Sequence, residues 1–330
     1  MDSVSATAPA PAKTRAPFDF ANAFRRYGTI LIFVVIVAGA SYQSSTFLTE
    51  RNIMNVLRQV SGIGIMSVGM LFVILTAGID LSVGSVSALG SVLSAMLVLQ
   101  YAPGLAIPLV IAVGAACGLL SGVMIAYLRM PAFVMTLAVM TMARGMALIV
   151  SKGQPILVGD RGAALSDFAQ GFAFGVPYPV VLMFAIFLVA GIVLNLTRFG
   201  RLVKAIGSNP EAVRLSGVNV PRHVLSVYVI SGALAAIAGI ISTGRSGVGS
   251  PIVGVGAELE AIAATVIGGA SLAGGRGGAF NTLLGAVILG VIGNIMNLAD
   301  VPGYTQQVCM GVIITVAVLL QQGTQWMRRS

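Results

Sequence analysis

From about residue 27 onward the chain is a succession of long apolar runs broken by short polar clusters. A helix that crosses a membrane needs roughly 20 mostly apolar residues. Ten stretches qualify, near 27–42, 56–78, 81–100, 104–128, 132–150, 178–196, 223–243, 257–274, 279–298 and 304–322. Between Gln59 and Gln100 the only charged side chain is Asp80, within TAGIDLSVGS, Thr76 to Ser85. A carboxylate in such a run is costly in lipid, so it either ends a helix at the membrane surface or faces a wet, protein-lined interior. Both readings make the chain a polytopic membrane protein, an all-α bundle of about ten spans.

Composition agrees. Hydrophobic residues make up 57% of the chain and charged ones 9%, with a mean hydropathy of +0.98, against about 25% charged in an ordinary soluble domain. The formal charge of +9 does not point to nucleic acid, because the basic residues cluster at alternate ends of the spans. With the N-terminus inside, the cytoplasmic segments collect Lys13, Arg15, Arg25, Arg26, Arg129, Arg198, Arg201, Lys204, Arg214, Arg222, Arg276, Arg328 and Arg329, 13 of the 19. The positive-inside rule then places both termini in the cytoplasm. Ten spans with both ends inside permit two inverted five-span halves, a common transporter construction.

Residues 1–24, rich in Ala and Pro, read as a flexible cytoplasmic tail rather than a signal peptide. Residues 25–330 read as one membrane domain, with a periplasmic segment at 151–177 and a cytoplasmic loop at 197–222. Cys117 and Cys309 lie in apolar runs without disulfide-like spacing and read as packed small hydrophobes. His223 stands alone beside Arg222, with no cluster that would hold a metal. Most of the 41 glycines fit close helix packing. Two stretches exceed that need, Gly244 to Gly256 and Gly268 to Gly278. Unwound backbone at membrane depth must be buried in protein or line a cavity, so either could form a pathway wall or gate. No Gly-Lys-Ser/Thr follows them, which excludes a phosphate cradle.

Within the loop 197–222, Asn209 suits a helix N-cap, Pro210 the first helical position, Glu211 the positive helix start and Gly217 the stop. The loop therefore encodes a short helix over Pro210 to Ser216, with Val213 and Leu215 as apolar knobs. It reads either as a membrane-surface element or as a knob for another protein's groove.

TAGIDLSVGS, AIGSNPEAVRLSGVNV, ELEAIAATVIGGASLAGGRGG and TLLGAVILGVIGNIMNL, in that order and covering nearly everything after residue 45, resemble the ribose-type permease subunits of bacterial ATP-binding-cassette (ABC) sugar importers. The resemblance implies a multi-pass inner-membrane permease that moves a monosaccharide. It also implies a homodimer or a related permease as partner, cytoplasmic ABC ATPase subunits that bind ATP and magnesium, and a periplasmic sugar-binding protein. It implies further that Ser208, Asn209, Pro210, Glu211, Val213, Arg214, Leu215 and Gly217 belong to the coupling helix that receives the ATPase stroke. The chain carries no Walker motif, no nucleophile with base and orienter, and no metal-ligand set, so it reads as a transport subunit without an enzyme activity or cofactor of its own.

Asp80 reads either as the cap of a helix beginning at Leu81, with Ser82 and Ser85 in its first turn, or as a gate carboxylate. Arg144 either snorkels to the outer surface or pairs with Glu258 or Glu260. Asn281, Asn294 and Asn297 offer neutral hydrogen bonding, between helices or along a sugar path. Lys152, Arg161, Arg245, Glu258, Glu260 and Asp300 are the charges near the outer face, and Arg245, Glu258 and Glu260 are the docking candidates for the binding protein. Two other cargo readings remain. The resemblance also allows the same architecture to carry a polyol, a quorum-signal sugar or a nucleoside; an ion-coupled carrier, the other alternative, would place more ionisable residues within its spans.

Overall fold

The computed structural model describes residues 20–326. Most of the expected tail therefore lies outside the described residues. The first helix, α1, starts inside it, at Phe20–Gln43. It is followed by α2 (Glu50–Leu75), α3 (Val83–Val98), α4 (Pro103–Ala126) and α5 (Ala132–Ser151). The segment after α5 holds a 3-10 turn at Asp160–Gly162 and α6 (Ala163–Gln170). Then come α7 (Tyr178–Leu196), α8 (Arg198–Ser208), α9 (Pro210–Leu215), α10 (Val220–Ser246), α11 (Ala257–Ile267), α12 (Ala279–Leu298) and α13 (Gly303–Trp326). Two small antiparallel pairs complete the fold: β1 (Ile156–Leu157) with β4 (Val248–Gly249), and β2 (Phe172–Ala173) with β3 (Val176–Pro177).

α2, α4, α5, α7, α10 and α12 are long and apolar enough to cross a membrane. Two expected spans are not single crossing helices. The stretch 81–100 becomes α3, which has 16 residues and follows a non-helical lead-in at 76–82. The stretch 257–274 becomes α11, which has 11 residues and ends in the glycine-rich segment 268–278. At 1.5 Å per residue α11 is about 16 Å long, roughly half of the ~30 Å hydrocarbon layer. The expected span overran α3 by only two residues at each end, and it overran α11 because no charge follows Ile267 before Arg276. Backbone geometry contributes to these ends: Ala77, Gly269, Gly274 and Gly275 all take left-handed φ.

The core lies where α2 and α10 cross. α2 is buried almost continuously from Gly64 to Leu75. α10 packs on α2, α3 and α4, and α2 packs in turn on α10, α11 and α12. α4 meets α10 through Gly114, Gly118 and Gly122, spaced at one helical turn. A Cβ on Gly118 would collide with the Tyr228 carbonyl. Small residues let backbones touch where lipid supplies no hydrophobic drive for association.

One end of the bundle is defined by Leu75, Gly207 and Gly275, where the Gly275 amide donates to the Leu75 carbonyl (3.0 Å). α8 and α9 lie there. At the far end, β4 pairs with β1 and the last turn of α10 meets α6 at Gly244.

Candidate functional site: two helix breaks and the α9 corner

The first break precedes α3. Asp80 is fully buried. Its Oδ1 accepts from the Ser82 amide (3.0 Å) and the Ser82 hydroxyl (2.6 Å), and its Oδ2 accepts from Ser231 Oγ on α10 (2.7 Å). The first of these bonds is an Asx turn, the local bond by which Asp competes with a helix backbone. The expected cap at Leu81 is thus corrected: Ser82 occupies the N-cap of α3, and Asp80 stands two residues earlier, pinning the lead-in to α10. From α5, Thr136 Oγ1 comes within 3.4 Å of the Ile79 carbonyl. The buried Tyr228 hydroxyl presses on Gly78, where an added Cβ would stand 2.5 Å from it. The break therefore ties three helices together.

The second break, 247–256, precedes α11. Ser250 N donates to Ser91 Oγ (3.1 Å), and Ser91 Oγ also bonds Thr243 Oγ1 (2.7 Å), which fastens the segment along α3 and α10. Arg144 Nη1 donates to the carbonyls of Pro251 and Val253 (2.9 Å for the second). Neither expectation for Arg144 included these carbonyls, although Glu258, one of the expected partners, lies close enough to act on it through its charge. The nearest partners of Arg144 are the orphaned carbonyls of unwound backbone, neither open water nor a carboxylate. Backbone that leaves a helix inside a membrane needs such a donor.

The two breaks meet. Gly84, in the first turn of α3, lies against the Gly254 carbonyl and the Glu258 carboxylate. Glu258 and Glu260 form the acidic first turn of α11, and both are only partly exposed. An anion beside the positive start of α3 is favourable. Glu258 therefore sits at the junction of the breaks. Arg245, by contrast, is exposed in the last turn of α10. It feels the like charge of Arg58 on α2, whose guanidinium lies over the Phe172 ring at 5.1 Å.

The amides expected to line a pathway are dispersed. Asn281 is exposed in the first turn of α12. Asn294 is buried and exchanges two bonds of 2.9 Å with Asn52, joining α12 to α2. Asn297 accepts from Gln306 of α13 (2.8 Å). Asn294→Ala should leave the Asn52 carboxamide half-satisfied and cost about 1–3 kcal/mol. A detergent thermal-shift assay checks this, with Asn52→Ala/Asn294→Ala expected to be less harmful than the sum of the singles.

The third place is the α9 corner. Asn209 Oδ1 accepts from the Ala212 amide (3.0 Å), Pro210 fills the first position, and Gly217 takes φ +80° at the stop. None of the residues of α9 is buried, and Leu215 is 74% exposed. Glu211 pairs with Arg214 (2.9 Å from Nε to Oε2). That bond holds the Glu211 carboxyl below the usual carboxylate range, so the pair persists across neutral pH and opens only on strong acidification. Sequence reading left the residues before α9 as loop, yet they form α8. The signals were present: Thr197 caps the Gly200 amide (3.2 Å), and Phe199, Val203 and Ile206 repeat at helical spacing. Phe199 is held between Phe72 and His223, at centroid distances of 6.3 and 5.8 Å.

A polytopic bundle with two short helices, each preceded by a non-helical break, and an exposed, capped knob at one end has the architecture of a transport permease. The chain belongs to the family described as branched-chain amino acid transport system / permease component, which matches residues 52–318, and it is a multi-pass inner-membrane protein. It is 41% identical to the ribose import permease protein RbsC of Haemophilus influenzae, over 88% of this chain and 91% of that one. It is 42% identical to RbsC of Escherichia coli K12 (90% and 94%) and 35% identical to the D-allose transport system permease protein AlsC of the same organism (94% and 96%). No solved structure matches the chain.

Proposed function

We propose that the chain is the permease subunit of a binding-protein-dependent ABC importer carrying a ribose-type monosaccharide across the inner membrane. It would work with a second copy of itself, with cytoplasmic ATPase subunits that bind ATP and magnesium, and with a periplasmic sugar-binding protein. The observation that carries this reading is α9: a short, doubly capped helix that buries nothing within its own chain and offers Leu215 and Val213 to an absent groove. Near-full-length relatives named for ribose and allose favour sugar over the amino acids in the family's description.

In this reading the α9 end is cytoplasmic. Arg129, Arg198, Arg201, Lys204, Arg214, Arg222 and Arg276 all lie in segments at that end, as the positive-inside rule requires. α3 and α11, each with its lead-in, count as one crossing apiece, which gives ten crossings and both termini inside. The packing favours inverted halves, α1–α5 against α7 with α10–α13. α2 and α10 exchange roles, α3 packs on α5 as α11 packs on α13, and each half carries a break followed by a short helix. The breaks, joined at Gly84 and Glu258, are the proposed gate, with Asp80 and Ser82 as its anchor to α10. The groove of about 280 Å³ between α3, α4 and α5, lined by Leu89, Val113, Cys117, Leu120, Met142 and Met146, is apolar. It offers nothing a hydroxylated solute would bond, which supports a path elsewhere; in this reading the path runs between two copies.

The functional test is uptake of radiolabelled ribose in cells carrying the matching ATPase and binding protein. Deleting this chain should abolish it, and undiminished uptake would overturn the assignment. Orientation is checked with single cysteines: Gln154→Cys should label from the periplasm and Ser216→Cys only from the cytoplasm. Among the outer charges the geometry favours Arg245, with Arg58 beside it, for docking the binding protein. Arg245→Glu should weaken binding-protein stimulation of ATPase about tenfold at low salt and less at high salt, since screening removes long-range attraction. Equal stimulation at low salt would exclude this residue from the interface.

A further inference from the structure

α7 ends where a set of cations converges. Its exposed face carries Leu188, Val189, Ile192 and Leu196, the last 73% exposed. This stripe stops at Thr197, and α8 turns back so closely that a Cβ on Gly200 would strike the backbone of Val193 and Leu194. The turn brings the cations of α8 to the end of the stripe. Arg201 Nη1 lies 3.5 Å from the Leu196 carbonyl, Lys204 Nζ donates to Asn195 Oδ1 (3.1 Å), and Arg198 is exposed beside them. Among the described residues none of the three has a carboxylate within ion-pair distance. α8 cannot swing away, because Val203 and Ile206 are buried and Phe199 is wedged between Phe72 and His223.

We propose that this corner is a binding site for an anionic phospholipid, whose acyl chain lies along Leu188, Ile192 and Leu196 and whose phosphate is held by Arg198, Arg201 and Lys204. Guanidinium and ammonium donors match phosphate oxygens. A basic helix at the membrane boundary, directly continuous with a lipid-facing stripe, is what an anionic headgroup recognises. A second copy is a poor occupant. A two-fold contact through α7 would bring the same cations face to face.

The test uses the purified full-length chain in phosphatidylcholine vesicles, with spin-labelled phosphatidylglycerol and spin-labelled phosphatidylcholine as probes. The wild type should retain the anionic probe severalfold over the neutral one, and Arg198→Gln/Arg201→Gln should bring that ratio close to one. Arg129→Gln/Arg276→Gln removes the same charge from the same end, away from the α7 stripe, and should leave the selectivity intact. Undiminished selectivity in the first variant, or equal loss in the second, overturns the site. A first variant that keeps the selectivity but no longer co-purifies with the ATPase in detergent also overturns it, and would assign these cations to the protein partner.

Discussion

Glu211→Lys combined with Leu215→Ala should abolish uptake while leaving the permease inserted and folded. Neither side chain contributes to the core: Leu215 is 74% exposed and Glu211 faces solvent, bonded only to Arg214. The double variant removes the apolar knob and turns an acidic helix start into a basic one, which opposes the helix dipole and repels Arg214. Losing a small buried contact of this kind costs on the order of 2–3 kcal/mol at an interface, enough to lower partner affinity by about a hundredfold. The expected phenotype is wild-type membrane abundance, uptake at background, and ATPase activity that is lost from the complex or deaf to the loaded binding protein. Uptake and stimulated ATPase both at wild-type level would refute the coupling role and leave α9 as a surface helix. Because the Glu211 carboxyl is held below its usual range by Arg214, the pair is intact throughout the neutral range and should itself add no pH dependence to coupling there.

The features legible in the sequence were those that rest on local chemistry. α9 could be placed from Asn209, Pro210 and Gly217 alone, because capping is settled within a few residues. The long spans were legible for the same reason, since length and apolarity are properties of a single segment. The breaks were legible in position, from the lone Asp80 and the excess glycines of Gly244 to Gly256, but not in what fastens them, because some of those partners are distant. Asp80 is satisfied by Ser82 nearby but also by Ser231, 151 positions away. The guanidinium of Arg144 is satisfied by the carbonyls of Pro251 and Val253, more than a hundred positions on. Sequence reading offered Arg144 water or a carboxylate because those are its common partners; it marked Gly244 to Gly256 as a candidate for unwound backbone but had no means of placing that segment beside α5. Glu258 was assigned to the outer face with Glu260, whereas the lead-in 247–256 brings the Glu258 carboxylate against Gly84.

Asp80 separates an anchor from a mobile charge, and its substitutions should divide accordingly. In Asp80→Ala the Ser82 amide, the Ser82 hydroxyl and the Ser231 hydroxyl lose their common acceptor in a site closed to water. The hydroxyls can turn back to helix carbonyls, but the amide cannot, and each buried donor left unpaired costs about 1–3 kcal/mol. A total of roughly 3 kcal/mol should drop the detergent melting temperature by several degrees and lower the amount of assembled permease. Asp80→Asn is different. Its carbonyl oxygen can still accept from the Ser82 amide and hydroxyl, and its NH₂ can donate to Ser231 Oγ, which accepts as readily as it donates. All three contacts survive without the charge. Asp80→Asn should therefore keep near-normal stability and most of the uptake, whereas Asp80→Ala keeps neither. Ser231→Ala should fall between them, losing one bond to α10 while the Asx turn holds. If Asp80→Asn melts like wild type yet transports nothing, the carboxylate acts through its charge, and the break is an electrostatic gate rather than a hydrogen-bonded anchor.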